Sequence, residues 1–368
     1  MAPVPLLPTG HTSEGFIITT GPQNIRLSII DLGTVAPGGT EQEALAESLA
    51  AAEHAEQLGF HRVWFAEHHL SRSGASHHPE LLIAAAAMRT RRIRIGSGAV
   101  LMNHYSPFKV AELFAQLEAM APGRVDLGMG RATSGPIIDA ALQQNRDVAN
   151  RADHGERVLE TLAWLYEAFP DGHPFAGKPL IPSLAKPPQT WLLGSSPQGS
   201  GLAAGLGIGY TFAGFINPRA ASAALRHYRE RFEPRGFGLT APNAILAVNV
   251  TVGETREHGE HLVNSARGFY AQLSRMRLGD DVPMVPSAEE GGRMLNPDQA
   301  QEPTRIVDGQ WPRFVAGGPE DVRQTLLQML EESGADELMI QNLIAAPADR
   351  RRSHELLAEM FGLRPPGP

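Results

Sequence analysis

Apolar residues along the chain alternate between two patterns. Short runs of β-branched and other apolar residues, typical of buried strands, are followed by longer segments in which apolar residues return every three or four positions, as on one face of a helix. A clear helical pattern covers Glu41–Gln57 and stops before Gly59, a residue type that commonly ends helices. This alternation predicts βα units around a parallel sheet.

Eight strands are predicted along the chain. They are Ile25–Leu32, Val63–Ala66, Ile93–Met102, Val125–Met129, Thr190–Leu193, Tyr210–Phe215, Ala244–Val252 and Glu337–Ile340. A count of eight favours an α/β fold of the closed (β/α)8 TIM barrel type, which suits a chain of 368 residues. Because alternation alone does not distinguish a closed barrel from an open sheet, a doubly wound open sheet is the alternative.

Helices are predicted between these strands. They are Glu41–Gln57, Pro79–Arg89, Phe108–Met120, Gly155–Ala168, Pro218–Phe232, Glu254–Leu273, Pro319–Ser333 and Ala348–Phe361, together with a helix of small residues after the fifth strand. Several begin with proline, which is favoured in a helix's first turn.

Two segments do not follow the alternation. Residues 1–24 are rich in proline, glycine and polar residues and predict a flexible tail, followed by one barrel domain over residues 25–368. Residues 274–312 show no sustained apolar periodicity and predict an insertion before the last βα unit. Long insertions in compact domains commonly cover active sites, so we favour a lid over a surface excursion.

Composition and charge exclude several classes of function. The net charge is -8 and no run of Lys and Arg occurs, which argues against a nucleic-acid or anionic-membrane partner. The chain has no cysteine, so disulfides and thiolate nucleophiles are excluded. The N-terminus lacks the basic start and apolar run of a secretory signal, which predicts a cytoplasmic protein.

The second predicted strand runs directly into a polar cluster, Glu67, His68 and His69, in the string VWFAEHHL. In a βα barrel, functional residues gather where strands end, and a histidine with a pKa near 6.5 is suited to proton transfer. A metal site that also used His77 and His78 is the less favoured interpretation, because adjacent residues of an extended chain point in different directions.

The third predicted strand contains small residues. Gly96 and Gly98 flank Ser97, and Ala99 follows, so a flat aromatic ligand could approach the backbone. Tight packing against a helix explains the same pattern equally well. His104 and Tyr105 lie on the following loop, where they could contact a bound ring or its substrate.

Two strand ends predict a phosphate site. Arg131 follows the fourth strand, and its guanidinium fork suits phosphate oxygens, although a carboxylate partner is the alternative. Ser195, Ser196, Gln198 and Gly199 form a turn that leads into a helix, whose N-terminus favours an anion. No GxGxxG motif, P-loop or GxSxG elbow is present, which disfavours a Rossmann dinucleotide site and a serine nucleophile.

These motifs occur in one order. VWFAEHH is followed by RIRIGSGAVLMNHYSP, GRVDLGMGRA, WLLGSSPQGSGLAAGLGIGY and VAGGPEDVRQTLLQMLEESGADELMI. Over nearly all of Ile25–Leu363 the chain resembles the luciferase-like flavin monooxygenases, most of all the reduced-FMN monooxygenases of bacterial secondary metabolism.

The resemblance assigns roles to individual residues. It implies that His68 is the catalytic histidine beside the flavin and that Glu67 tunes it, while His104 is a further catalytic candidate on the neighbouring loop. It also implies a non-prolyl cis peptide between Gly98 and Ala99 beneath the flavin ring. Phosphate contacts are implied for Arg131 and for the turn of Ser195, Ser196, Gln198 and Gly199. Gly194 stands where the luciferase α chain has an acidic residue, which argues against light emission.

The resemblance also implies a reaction. Reduced FMN, supplied by a separate flavin reductase that binds transiently, would react with O2 to a C4a-hydroperoxyflavin that oxygenates a small organic substrate, in an enzyme expected to be a homodimer. The alternatives are a deazaflavin-dependent hydride-transfer oxidoreductase, a non-catalytic flavin-binding protein and, third, a metal-dependent hydrolase.

Overall fold

A computed structural model describes residues 25–132, 136–142, 153–277, 280 and 282–365. The predicted tail, residues 1–24, lies outside this range. Within the described residues, no helix is both long and apolar enough to span a membrane.

Ten strands form one parallel sheet that closes on itself. They are β1 (Arg26–Asp31), β2 (Arg62–Phe65), β3 (Arg94–Ser97), β4 (Val100–Leu101), β5 (Val125–Gly130), β6 (Gln189–Gly194), β7 (Gly209–Ala213), β8 (Ala244–Val252), β9 (Phe314–Gly317) and β10 (Glu337–Gln341). The order is β10-β1-β2-β3-β5-β6-β7-β8, and β10 also pairs with β8. The closed barrel of eight parallel strands confirms the predicted TIM-barrel class and rules out the open sheet.

Two strands differ from the prediction. The segment predicted as one strand over Ile93–Met102 is split into β3 and β4, with a cis peptide between Gly98 and Ala99 at the break. The predicted cis bond is therefore confirmed. β9 was not predicted, because four residues after a proline-rich segment give too short an apolar run; it pairs with Asn249–Val252, the half of β8 beyond the pairing with β7.

Thirteen α-helices lie within the described residues. They are α1 (Glu41–Leu58), α2 (Pro79–Arg89), α3 (Pro107–Met120), α4 (Pro136–Leu142), α5 (His154–Leu165), α6 (Pro197–Leu206), α7 (Pro218–Arg231), α8 (Arg256–Leu262), α9 (Asn264–Leu273), α10 (Ala288–Met294), α11 (Pro297–Ala300), α12 (Pro319–Ser333) and α13 (Pro347–Phe361). The predicted bounds of α2 and α12 are confirmed.

The helix predicted over Glu254–Leu273 is wrong as a single helix, because it is divided into α8 and α9. Gly259 of α8 packs directly on the backbone of Gly317 at the end of β9, where a Cβ would lie 2.2 Å from the Gly317 oxygen. The position of α8 is thus determined by β9, an element that the sequence pattern had not indicated.

Glycines on β3 and β7 make room for large side chains inside the barrel. A Cβ on Gly96 would lie 2.8 Å from the Trp64 indole nitrogen, and a Cβ on Gly209 would lie 2.4 Å from the Trp191 ring. The two indoles meet edge to face with centroids 5.6 Å apart. The small residue at position 96 is thus explained by packing inside the barrel rather than against a helix.

A buried ionic network closes the N-terminal end of the barrel. Arg62, which has no exposed surface, donates to Glu337 (2.8 and 3.0 Å) and to Asp126 (2.7 Å). Arg94 and Trp64 also donate to Asp126, at 3.0 Å each. Burial alone would raise the pKa of Asp126, but the charges of Arg62 and Arg94 hold it below its usual range.

Two surface concavities of about 470 and 720 Å³ open at this same N-terminal end. Neither is lined by a candidate site residue. In a βα barrel this end supports stability and the opposite end carries function, so we locate the site by its chemistry and not by the size of a concavity.

The described part of the insertion over residues 274–312 contains α10 and α11, and both helices pack against α9. Val285 and Val282 of the insertion belong to an apolar cluster with Leu32 after β1 and Leu343 after β10. Val282 also forms a β-bridge with Ser71, in the loop after β2. The insertion therefore lies on the C-terminal rim of the barrel, beside the loop that carries the histidines.

Candidate active site

The predicted site residues follow the C-terminal ends of neighbouring strands. Glu67 and His68 come after β2, Gly98 and Ala99 after β3, and Arg131 after β5. The turn that begins at Ser195 comes after β6. Because these four strands are consecutive in the barrel, the structure brings all the candidates to one side of one rim.

Glu67 connects the loops after β2 and β3 by hydrogen bonds. Its carboxylate, 3% exposed, accepts hydrogen bonds from the Leu101 backbone N–H (2.8 Å) and the Tyr105 hydroxyl (2.8 Å), and lies 2.7 Å from His69 Nε2. None of these partners is His68. Glu67 thus acts on His68 through its charge, while its hydrogen bonds hold the neighbouring loop.

His68 is positioned by its backbone, and its ring is accessible to solvent. Its N–H donates to the Ser76 carbonyl (3.0 Å), and its carbonyl accepts from His77 Nδ1 (2.6 Å). Desolvation by the surrounding protein lowers the pKa of His68, and the negative charge of Glu67 opposes this effect. The lowered pKa keeps the His68 imidazole neutral at pH 7.

His104 lies deeper than His68. It is buried, with its Nε2 3.1 Å from Asn103 Nδ2 and 3.7 Å from Asp139 Oδ1. Its ring centroid is 6.5 Å from that of His69. Burial lowers the pKa of His104, so this ring too is neutral at pH 7.

The histidines near the rim are not arranged as metal ligands. Within the described ranges, no three His, Asp or Glu side chains are placed to hold an ion. His69 instead stacks on His77 at 6.4 Å and meets His78 edge to face at 5.8 Å.

The turn after β6 is held by its carbonyl groups. The Tyr210 hydroxyl donates to the Ser196 carbonyl (3.2 Å), and Asn217 Nδ2 donates to the Ser195 carbonyl (3.2 Å). Helix α6 begins directly after Ser196, whose side chain does not cap it. The Gly199 N–H donates to the Ser196 carbonyl (3.2 Å), whereas the Gln198 N–H is available to an anion at the helix N-terminus.

Arg131 lies beside this turn. The pairing of Met129 with Leu192 places Arg131 at the level of Gly194 on the adjacent strand. Its side chain is exposed, and no carboxylate of the described chain forms an ion pair with it. The alternative interpretation, an arginine paired with a carboxylate, therefore has no support among these residues.

His154, which was not among the predicted site residues, lies within reach of the charge of Arg131. It begins α5, and its buried Nδ1 has no hydrogen-bond partner in the described part of the chain. Burial and then the positive charge of Arg131 lower the pKa of His154. The available signal was its place directly before a predicted helix start. Gly155, next to it, packs the start of α5 against the Leu202 side chain in the middle of α6.

The family model for luciferase-like monooxygenases matches residues 25–337. The chain belongs to the luciferase-like monooxygenase family. It is 37% identical over 340 residues to the uncharacterised protein YwcH of Bacillus subtilis, covering 92% of this chain and 99% of YwcH. It is 32% identical over 337 residues to the N-acetyl-S-alkylcysteine monooxygenase of the same organism, covering 91% and 98%.

Solved structures show the same fold. The chain superimposes on apo-MsnO8 with a TM-score of 0.83 at 37% identity, covering 94% of this chain and 100% of MsnO8. More distant members of the fold include an FMN complex of a 3,6-diketocamphane monooxygenase component (TM-score 0.62, 19% identity) and an F420-dependent secondary alcohol dehydrogenase (TM-score 0.61, 15% identity). This luciferase-like monooxygenase therefore shares its fold with proteins that use a flavin or a deazaflavin.

Proposed function

We propose that this luciferase-like monooxygenase uses reduced FMN and O2 to oxygenate a small organic substrate. The observation that carries the proposal is the polar arrangement beside the β6 turn. Arg131, which has no carboxylate partner among the described residues, the uncapped start of α6 and His154 Nδ1, which has no partner there either, would form one anion site that fits a flavin phosphate.

The residues of the chain would bind the phosphate, support the flavin ring and transfer a proton. Arg131, His154 and the turn of Ser195, Ser196, Gln198 and Gly199 would hold the phosphate, and Gly98 and Ala99 would lie beneath the ring. Bound reduced FMN would supply the activation of O2. The neutral His68 imidazole would accept or return a proton at the reacting oxygen of the substrate, and Glu67 would hold the loop around it.

Shielding from water is the proposed role of the insertion. The proposal is supported by the apolar contacts of the insertion with Leu32 and Leu343 and by its bridge to Ser71, three residues after His68. Excluding water from such a site suppresses side reactions of reactive species. We therefore retain the lid as a proposal for residues 274–312.

The test is oxygen uptake and product mass with reduced FMN and a substrate panel. The panel includes thioethers, suggested by the N-acetyl-S-alkylcysteine monooxygenase relative, together with long-chain aldehydes and aromatic polyketides. Reduced FMN is compared with the reduced deazaflavin. Turnover with the deazaflavin alone would favour the hydride-transfer alternative, and tight flavin binding without turnover would favour a flavin-binding protein.

Reduction of the flavin is proposed to occur on a separate reductase, since the chain shows no GxGxxG dinucleotide motif. A role in secondary metabolism is proposed on the sequence resemblance alone.

Arg131→Ala is expected to weaken FMN binding by about 1.5 to 3 kcal/mol, because a charge-assisted hydrogen bond to phosphate is lost. Equilibrium titration of FMN fluorescence measures the change. Arg231→Ala, an exposed arginine at the opposite end of the molecule, is the control and should bind FMN normally. Equal FMN affinity in both variants would contradict the phosphate site.

A homodimer is proposed through α2. Leu81 (68% exposed) and Met88 (58% exposed) lie seven residues apart on one face of α2, with Ala84 and Ala85 between them. Such an uncharged apolar stripe is suited to contact the same stripe of a second copy.

The double variant Leu81→Glu/Met88→Glu is expected to be monomeric by light scattering, because charges would be buried against each other in the dimer. Ile181→Glu, which changes an exposed apolar residue elsewhere, should leave the oligomeric state unchanged. A monomeric wild-type protein would refute the dimer.

A further inference from the structure

Arg313 lies on the C-terminal rim and has no part in the site described above. Arg313 directly precedes β9, and the first residue of β9, Phe314, pairs with Asn249 of β8. Asn249 also pairs with Gln341, the last residue of β10. This register places Arg313 at the level where the barrel strands end. The phosphate turn follows β6, whereas Arg313 contacts the segment that follows β7.

Two contacts orient the Arg313 guanidinium. Its Nε donates to the Phe215 carbonyl at 3.2 Å, and its central carbon lies 4.6 Å from the centroid of the Tyr270 ring. Phe215 packs on the apolar cluster inside the barrel, and Tyr270 belongs to the cluster that the insertion covers. Arg313 thus lies between the C-terminal end of the barrel and the insertion.

Among the described residues, the charge of Arg313 has no anionic partner. Within the described ranges no carboxylate lies within ion-pair distance of it, and neither terminal nitrogen has a hydrogen-bond acceptor. Asp321, on the first turn of α12, pairs instead with Arg256 and Arg305. Holding a half-buried guanidinium in one orientation without an anion costs free energy, which an anionic ligand would recover.

We propose that Arg313 binds an anionic group of the substrate, a carboxylate or a group of similar geometry, and so selects acidic substrates. This inference rests on the proposed monooxygenase function. A flavin phosphate would be the other anion near this rim, but the proposed function assigns it to Arg131, His154 and the α6 N-terminus, on the β5 and β6 side. The planar fork of Arg313 is matched to two oxygens of a carboxylate.

The experiment measures binding directly by calorimetry on the FMN-loaded protein. The probes are phenylthioacetate, a thioether carboxylate, and its uncharged methyl ester. Wild-type protein is expected to bind the acid at least 10-fold more tightly than the ester. Arg313→Gln should weaken binding of the acid about 10- to 100-fold and leave the ester unchanged, since only the charge-assisted bonds are lost. Arg313→Lys keeps the charge but loses the planar guanidinium fork. Its affinity for the acid should lie between those of the wild type and Arg313→Gln.

Arg256→Gln is the matched control, because it removes the same charge from an arginine at the same end of the molecule that has its own carboxylate partner. Thermal melting checks that each variant is folded. Equal binding of acid and ester, no binding of the acid to wild type at millimolar concentration, or unchanged acid binding in Arg313→Gln would each overturn the proposal.

FMN titration distinguishes whether Arg313 binds an anionic group of the substrate or the flavin phosphate. If Arg313→Gln weakens FMN binding as much as Arg131→Ala does, Arg313 belongs to the cofactor site and the proposal is wrong. If Arg313-dependent binding of the acid is found but reduced FMN supports no oxygenation, the proposed reaction fails while the anion subsite stands.

Discussion

His68→Ala is expected to lower product formation by about 10²- to 10⁴-fold, the usual loss when a general acid–base is removed. FMN affinity and melting temperature should stay near those of the wild type, because the contacts that position this residue are made by its backbone. Oxygen uptake should continue and appear as hydrogen peroxide instead of product. Product mass, peroxide and FMN affinity on one preparation measure all three effects.

The pH dependence follows from the lowered pKa of His68. Neutral imidazole is the form that accepts a proton, so wild-type product formation should fall only as pH drops through that lowered value, and His68→Ala should lose this limb of the profile. His78→Ala, which changes an exposed histidine on the same rim, is the control and should keep both rate and profile. Full coupling to product in His68→Ala would move the catalytic assignment to His104 or Tyr105.

Arg62→Met is expected to destabilise the protein by about 3 to 5 kcal/mol, because the buried Glu337 would have no arginine partner and the buried Asp126 would have only Arg94. Urea unfolding measures the loss. Arg293→Met, in which the exposed pair with Glu289 is broken, should change the free energy of unfolding by less than about 0.5 kcal/mol. A loss below 1 kcal/mol for Arg62→Met would mean that the network does not stabilise the barrel.

Asp126 adds a pH dependence to this network. Its folded pKa lies below the unfolded value of about 3.9, so its contribution to stability is complete above that value and is lost as pH falls through the folded pKa. Arg62→Met should flatten this acid limb, since the charge that lowers the pKa is removed.

Local sequence patterns determined the strands and helices, and the end of the barrel at which the candidate functional residues lie. Each predicted strand reflects an apolar run whose end is followed by polar or glycine-rich residues, and a parallel barrel brings all such ends to one rim. For this reason Glu67, His68, Arg131 and Ser195 could be expected on one side of the molecule before their positions were known. The Gly98–Ala99 cis bond was reached only through the resemblance of the motif to those of a family.

Contacts between residues distant in the chain were decided by tertiary structure alone. Glu67 was expected to act with His68, but its hydrogen-bond partners are His69, Leu101 and Tyr105, because closure of the barrel brings the loop after β3 against its carboxylate. The buried Arg62 network, the orientation of Arg313 and the lack of a partner for His154 Nδ1 among the described residues share this origin. The periodicity of a sequence indicates which residues of a strand or helix are buried and which are exposed. A hydrogen bond, or a charge without an ion-pair partner, depends instead on which side chains the fold brings within about 3 Å of each other.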